Sequence, residues 1–238
     1  MSVANQVTRR HERSRKTAAR PRARSFFTKK EMPEKLLILD QELIREFIQD
    51  RRDRGIDGFD EVWEGVYIVP PLATIPHQKL STALTVILYI VMTLEGKGDT
   101  LAGANVSDRR FGWKRKFRAP DVVLVLTPGR AVDCNTHWMG GPDFLVEVQS
   151  PGDETDDKIP FYGQIGVQEL LIIHRDTRQP RLYRHNGKEL VQVKPSEFQG
   201  GKWLVSAIVP LAFRRRVLRS GPLTEVQRTD GTPGNWTI

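Results

Sequence analysis

Two short runs constrain this chain more than anything else in it: Val122-Val123-Leu124-Val125-Leu126 and Phe144-Leu145-Val146-Glu147-Val148. The first lies between Pro120 and Pro128-Gly129, the second between Gly141-Pro142 and Pro151-Gly152. A strand with one wet face alternates apolar and polar residues, whereas a nearly unbroken apolar run of this length, closed by turn formers, is covered on both faces. A third such run is Val167-Gln168-Glu169-Leu170-Leu171-Ile172-Ile173. Covering both faces of a sheet calls for helices, and three are predicted. One runs from Asp40 to Arg54, with Asp40 as N-cap, a stripe of Leu43, Ile44, Phe47 and Ile48, and Gly55 at its end. A second runs from His77 to Leu94, and a short third lies within Thr155–Gly166, where Pro160 is tolerable only in the first turn. Glu64-Gly65 and Asn186-Gly187 mark hairpins, and the last clear strand falls near Gly201–Phe213. The fold class is α/β, a mixed β-sheet flanked by helices.

The longest charge-free apolar stretch, Leu80–Leu94, has 15 residues. It falls short of the roughly 18 that a membrane span needs. It is therefore read as a buried helix with little solvent exposure, and no membrane role is expected. The single cysteine, Cys134, excludes a disulfide framework and a multi-cysteine zinc site, and fits a reducing, cytoplasmic compartment. The formal net charge of +8 is misleading, because residues 1–30 hold ten Lys or Arg and one acid. The other 208 residues sum to −1. Residues 1–31 are expected to be a disordered basic tail, 32–220 the folded domain, and 221–238 a loose tail. The basic segment reads in three ways: a leader without a role, a phosphate-binding arm, or a transit peptide.

Glu147 carries the chemistry. An ionised carboxylate inside a covered strand costs several kcal/mol, about that much even after relaxation, unless a metal, a cation or a proton neutralises it. Glu147 and Gln149 share one strand face, about 7 Å apart. Asp121 opens the neighbouring apolar strand, and two carboxylates from adjacent strands make a hard-oxygen site suited to Mg²⁺. The same residues admit plainer readings: an Asp after Pro commonly forms a turn, and a buried Arg can satisfy Glu147. The run Arg109, Arg110, Lys114, Arg115, Lys116 and Arg118, interleaved with Phe111 and Trp113, offers charge and stacking surface to a nucleic acid, or else a solvated hairpin tip. No HExxH, P-loop or paired-histidine pattern is present, and no serine or cysteine nucleophile motif stands out.

The stretches RAPDVVLVL, GGPDFLVEVQSPGDETDDKIPFYGQIGVQELLII and PRLYRHNGKELVQV, with DEVWEGVYIVPPLATIPHQKLSTAL upstream, resemble the restriction endonuclease domain of the Uma-two family, within the PD-(D/E)XK nuclease superfamily. The resemblance covers residues 59–213 and implies a restriction-endonuclease-like fold. Carried over residue by residue, it makes Asp121 and Glu147 the metal-binding acids, while Gln149 stands where the superfamily signature has lysine. Lys158, in Asp156-Asp157-Lys158, matches the family's compensating lysine, and Glu61 matches an acid of the opening hairpin. His77 matches the histidine that begins the long helix. The resemblance thus implies catalytic Glu61, Asp121, Glu147 and Lys158, with His77 and Gln149 on the substrate side; Lys114, Arg115 and Lys116 are added to that side from the basic run just before Asp121. Tyr162 is taken as structural. Glu169-Leu170-Leu171 departs from the family's acid followed by two aromatics.

The implied activity is Mg²⁺-dependent hydrolysis of nucleic-acid phosphodiesters, with Mn²⁺ able to substitute, DNA the first candidate substrate, and a homodimer expected by analogy with the superfamily. The alternative is a degenerate nuclease fold that binds nucleic acid or a protein partner without cleaving, a reading that Gln149 keeps open.

Overall fold

The computed structural model describes residues 41–238, so the expectations for residues 1–31 and for Asp40 lie outside the described residues. The chain divides at Phe47, and residues 48–238 make up one compact unit. Helix α1 is Gln41–Asp53, close to its predicted span. Helix α2, Ile75–Leu88, continues through a π-helical turn at Tyr89–Thr93, so the long helix ends where the apolar run does. Thr74 caps it, its Oγ1 accepting from the His77 N–H, and Pro76 occupies a first-turn position where no intrahelical N–H is needed.

The strands, numbered along the chain, form three sheets. The central sheet contains β3 (Gly98–Ala102), β6 (Val122–Leu126), β9 (Phe144–Gln149), β10 (Glu169–His174), β11 (Pro180–His185) and β12 (Leu190–Gln192), in the order β12-β11-β10-β9-β6-β3. Only β9 and β10 pair in parallel within it; its other ladders are antiparallel, so the sheet is mixed. A small second sheet contains β1 (Glu61–Trp63), β2 (Val66–Ile68), β4 (Val106–Ser107), β5 (Phe117–Arg118), β7 (Val132–Asp133) and β8 (Trp138–Met139). The C-terminal sheet runs in chain order through β13 (Ser196–Phe198), β14 (Gly201–Val205), β15 (Leu211–Leu218), β16 (Gly221–Arg228) and β17 (Asn235–Thr237).

The two apolar runs are the middle of the molecule, as double-sided burial requires. On one face Val122, Leu124, Val146, Val148, Leu171 and Ile173 pack with Leu80, Leu84 and Leu88 of α2 and with Leu211, Phe213 and Val226 of the C-terminal sheet. On the other, Val123, Val125, Leu145, Leu170 and Ile172 meet Val106 of the small sheet and Phe161 and Tyr162 of helix α3 (Ile159–Gln164). Each such side chain removed from water contributes about 1.5–3 kcal/mol. The start of β9 is drawn tight by Gly141, where a Cβ would sit 2.1 Å from the Val167 nitrogen.

Two expectations are corrected, and one strand is added. Residues beyond Gly221 are not a loose tail: β16 pairs with β15 over eight rungs, and β17 adds an edge strand. Thr224, Val226 and Arg228 are buried on its inner face at alternate positions, a half-buried period of two that polar neighbours disguise. Helix α2 is less covered than its composition suggested, with Val86, Tyr89 and Leu94 exposed on its outer side. Strand β3, in a glycine-containing segment after α2, carries no sustained apolar pattern and had no sequence signal.

Candidate active site

Strands β6 and β9 run antiparallel, with Val122 opposite Val146. One step further, this register sets Asp121 opposite Glu147 at the end of the ladder. Directly opposed residues stand about 4.5–5.5 Å apart at Cβ, so two acids face each other where one would be costly. The third element follows from topology. Parallel strands need a crossover connection, and the β9–β10 crossover carries a 3₁₀ turn, Thr155–Lys158, leading into α3. That turn starts above the C-terminal end of β9 and returns Lys158 over it.

Lys158 Nζ donates to Glu147 Oε1 at 3.1 Å and to Glu61 Oε1 at 2.9 Å, and its side chain is only 15% exposed. Tyr162, one helical turn beyond Lys158, donates its hydroxyl to the same Glu147 oxygen at 2.5 Å. Glu147 Oε2 has no protein donor among the described residues. Glu61 is fully engaged: Oε1 also accepts from the Ala119 N–H at 2.8 Å, and Oε2 accepts from Trp63 Nε1 at 2.6 Å. Asp121 does not pair with Lys158. Its Oδ1 lies 2.8 Å from His77 Nε2, and its Oδ2 accepts from the Val148 N–H at 2.7 Å. His77 Nδ1 lies 3.4 Å from Ser150 Oγ.

Burial is the largest influence on Glu147 and pushes its carboxyl up. Repulsion from Asp121 and Glu61 adds to this, and Lys158 and Tyr162 offset only part, leaving it at about 7. Burial pulls Lys158 down, but Glu147 and Glu61 outweigh it and hold the ammonium above its ordinary value. The Tyr162 hydroxyl is held well above its ordinary value, first by burial and then by Glu147. The hydrogen bond to Asp121 raises His77 against a smaller opposing effect of burial. The cluster is thus three carboxylates around one lysine and one histidine, with negative charge in excess.

Gln149 is not open to a ligand in this arrangement, because its Oε1 accepts from Arg181 Nη2 at 2.9 Å. Arg181 in turn pairs with Asp156 at 2.7 Å, which ties the 3₁₀ turn to the sheet. The basic loop separates into two groups. Lys114 and Arg115 are exposed, and Phe111 is 85% exposed at the tip. Lys116, by contrast, is drawn in: its side chain is 14% exposed, reaches Glu64 at 3.2 Å and Asp108 at 3.7 Å, and donates to Gln164. Arg118 is buried, its guanidinium 4.6 Å from the Trp63 ring and 4.4 Å from the Phe161 ring, donating to the Val62 carbonyl. Trp113 is stacked on His137 and packed edge-on against Phe117, which leaves Phe111 as the loop's free ring. Of the basic run, the structure thus leaves Lys114 and Arg115 outward on a 3₁₀ turn and gives Lys116, Arg118 and Trp113 contacts within the protein, a division that a sequence run of charge does not reveal.

The sequence reading missed the role of Tyr162. The available signal was its spacing, since residues four apart share a helix face and Lys158 to Tyr162 is that interval. Among the described residues no three His, Cys, Asp or Glu side chains form a ready-made metal cage. The donor chemistry nevertheless fits a hard divalent cation. Two opposed oxygen donors, one with a free oxygen in a negatively charged pocket, suit an ion that keeps water and substrate oxygens in its sphere. Among the described residues no helix is long and apolar enough to cross a membrane.

Three acids, a lysine, a histidine and a tyrosine thus gather at one end of the central sheet of an α/β scaffold. The profile of the Uma2 family, described as "Putative restriction endonuclease", matches residues 59–218, and the chain belongs to that family. No curated protein matches the sequence. Among solved structures, the chain is similar to the crystal structure of "a putative nuclease belonging to DUF820" from Anabaena variabilis, at 17% identity and a TM-score of 0.46, over 58% of this chain and 79% of that one. Restriction-endonuclease-like families generally act on nucleic acids with the help of divalent metal ions.

Proposed function

We propose that this protein is a Mg²⁺-dependent endonuclease that hydrolyses phosphodiester bonds, with DNA as substrate, in the reducing cytoplasm and as a pair of identical chains. One observation carries the reading: the buried Glu147 carboxylate, opposed to Asp121 at the end of a ladder, with the Lys158 ammonium 3.1 Å away. A purely structural acid would not be set against a second acid.

Asp121 and Glu147 would hold the cation, Mg²⁺ or Mn²⁺, which when bound lowers the pKa of water and neutralises phosphate charge. Lys158 supplies a preorganised positive charge where negative charge develops on the phosphate, in a site that does not reorganise to provide it. Glu61, with three donors on its two oxygens, is poorly suited to accept a proton. It is better suited to fixing Lys158, a narrower role than the catalytic one that the resemblance implies. Tyr162 holds Glu147 Oε1, which leaves Oε2 for the cation. His77 orients Asp121. Lys114 and Arg115 contact the phosphate backbone, with Phe111 beside them as a surface for a base.

The test is cleavage of supercoiled plasmid and of single-stranded DNA by the purified chain with and without Mg²⁺. Metal-dependent nicking, lost in Glu147→Ala, supports the reading. Undiminished binding with no cleavage in Mg²⁺ or Mn²⁺ would favour the non-cleaving module, the alternative that Gln149 in the signature lysine position keeps alive.

A further inference from the structure

The C-terminal hairpin β15–β16 has no part in the site described above, yet it is tied to the same end of the central sheet. Arg215 Nε donates to the Thr177 carbonyl at 2.8 Å, and Thr224 Oγ1 donates to the Arg178 carbonyl at 2.8 Å. Arg215 and Thr224 are opposite each other in the ladder, so one rung of the hairpin grips the β10–β11 turn from both strands. That turn begins at Arg175, whose N–H donates to the Gln149 carbonyl at 2.8 Å. Gln149 is two residues from Glu147. Two steps of hydrogen bonding therefore connect the hairpin to the strand end that carries the acids.

Beyond the gripping rung the hairpin continues through Arg216–Leu223, Val217–Pro222 and Leu218–Gly221. These three rungs extend roughly 10 Å past the turn. Side chains alternate along β15, so Arg215 and Val217 lie on the face directed toward the turn and Arg216 on the other with Glu225, 2.7 Å away, while Arg219 follows in the turn at the hairpin's tip. Arg215 and Arg219 are exposed, and neither has a carboxylate partner among the described residues. Arg178 lies in the gripped turn itself and is half-buried, again with no ion pair among the described residues. Arg175, beside it, is paired with Asp176.

The position relative to the other basic surface matters. The small sheet that carries Lys114 and Arg115 packs on the α3 face of the central sheet. The C-terminal sheet packs on the α2 face. Their basic tips thus belong to opposite faces, and the ends of β6 and β9 lie between those faces. We propose that the β15–β16 hairpin, with Arg178, Arg215 and Arg219, is a second nucleic-acid backbone contact, holding the strand that crosses the site from the face opposite the 109–115 loop. The proposal rests on the nucleic-acid reading of the site. The matched family region ends at residue 218, so it includes Arg178, Arg215 and β15 but neither Arg219 nor β16, the strand that completes the hairpin. Guanidinium groups that form no salt bridge among the described residues suit phosphates, which take bidentate contacts and release counterions when neutralised.

The experiment is binding of a fluorescent DNA duplex, by anisotropy, in EDTA and at several salt concentrations, to the full chain and to two variants. Arg178→Ala/Arg219→Ala removes two charges and leaves the Arg215 anchor in place. Arg178→Lys/Arg219→Lys keeps the charges. Thermal melting of all three checks that the hairpin stays folded. The expected result is a slope of log affinity against log salt that is shallower by about two units in the Ala variant and close to the parent in the Lys variant. An unchanged slope in the Ala variant overturns the hairpin contact alone. If the parent chain binds but does not cleave in Mg²⁺, the catalytic reading falls and the contact stands. If the parent shows no salt-dependent binding, both fall together.

Discussion

Two buried glutamates sit in adjacent strands of the same sheet, and their surroundings differ in kind. Glu169, at the start of β10, is fully buried, and its oxygens accept from Arg184 Nε, the Ser206 hydroxyl and the Ala207 N–H. Every side-chain contact among the described residues is a donor, so the charge is compensated and serves to fasten the loop before β15 to the sheet. Glu147, near the end of β9, also has donors, but it faces Asp121 and has Glu61 beyond Lys158. Its charge is left partly uncompensated. Burial of a carboxylate alone is therefore no sign of function. Burial against other carboxylates is, because folding by itself gains nothing from that arrangement and a cation or a proton is needed to complete it.

The largest expected effect tests what Lys158 does at the Glu147 end. Lys158→Ala should reduce cleavage by about 10²–10³-fold, the usual loss for one preorganised electrostatic contact, with Mn²⁺ binding retained. Lys158→Arg should restore little, since a planar fork does not replace a point charge between two acids. Single-turnover rates at saturating metal measure this. A loss below fivefold would make Lys158 a structural cation like Arg184.

The second effect separates the two glutamates by stability. Glu169→Ala leaves Arg184, the Ser206 hydroxyl and the Ala207 N–H without their acceptor and should cost about 3 kcal/mol. Glu147→Gln keeps the shape, removes the repulsion with Asp121, and should lie within about 1 kcal/mol of the parent in the absence of metal. Urea denaturation of both variants in EDTA provides the comparison, and equal losses would erase the distinction.

The third effect is smaller and concerns pH. The Glu147 carboxyl stands at about 7 in the folded chain against an ordinary 4.5. The folded state therefore holds a proton that the unfolded chain releases. The associated stability is present below about pH 4.5 and is lost as pH rises through about 7, up to about 3 kcal/mol in all. His77, raised beside Asp121, contributes a loss in the same direction as pH rises. Glu147→Gln should flatten most of this dependence, and a divalent cation should raise the melting temperature more at pH 8 than at pH 5, because it competes with the proton. Melting curves across that range, with EDTA and with Mg²⁺, are the check.

Much of this was legible in the sequence where one residue's environment dictates its neighbours. The unbroken apolar runs required a doubly covered sheet, Asn186-Gly187 required a hairpin, and Asp121 beside Pro120 marked a strand end. Glu147 stood out as a charge in an apolar run, but Glu169 stands in a run just as apolar. Sequence alone does not distinguish them, because the distinction lies in what the register and the crossover bring opposite each one. Lys158 came from resemblance rather than pattern, and the topology of β9 and β10 supplies the physical reason for its position. Gln149 looked like a vacant lysine position, and its link to Arg181 depends on β11 lying two strands away. The last strands were missed because their inner face holds Thr224 and Arg228, polar residues whose burial depends on partners distant in the chain, such as Glu95 for Arg228.

Calorimetric titration with Mn²⁺ of the parent chain, Glu147→Gln and Glu169→Gln tests most directly the claim that charge at the β9 end is reserved for a cation. Mn²⁺ binding in the parent chain, retained in Glu169→Gln and lost in Glu147→Gln, is the expected result. Mn²⁺ affinity unchanged by Glu147→Gln would contradict it.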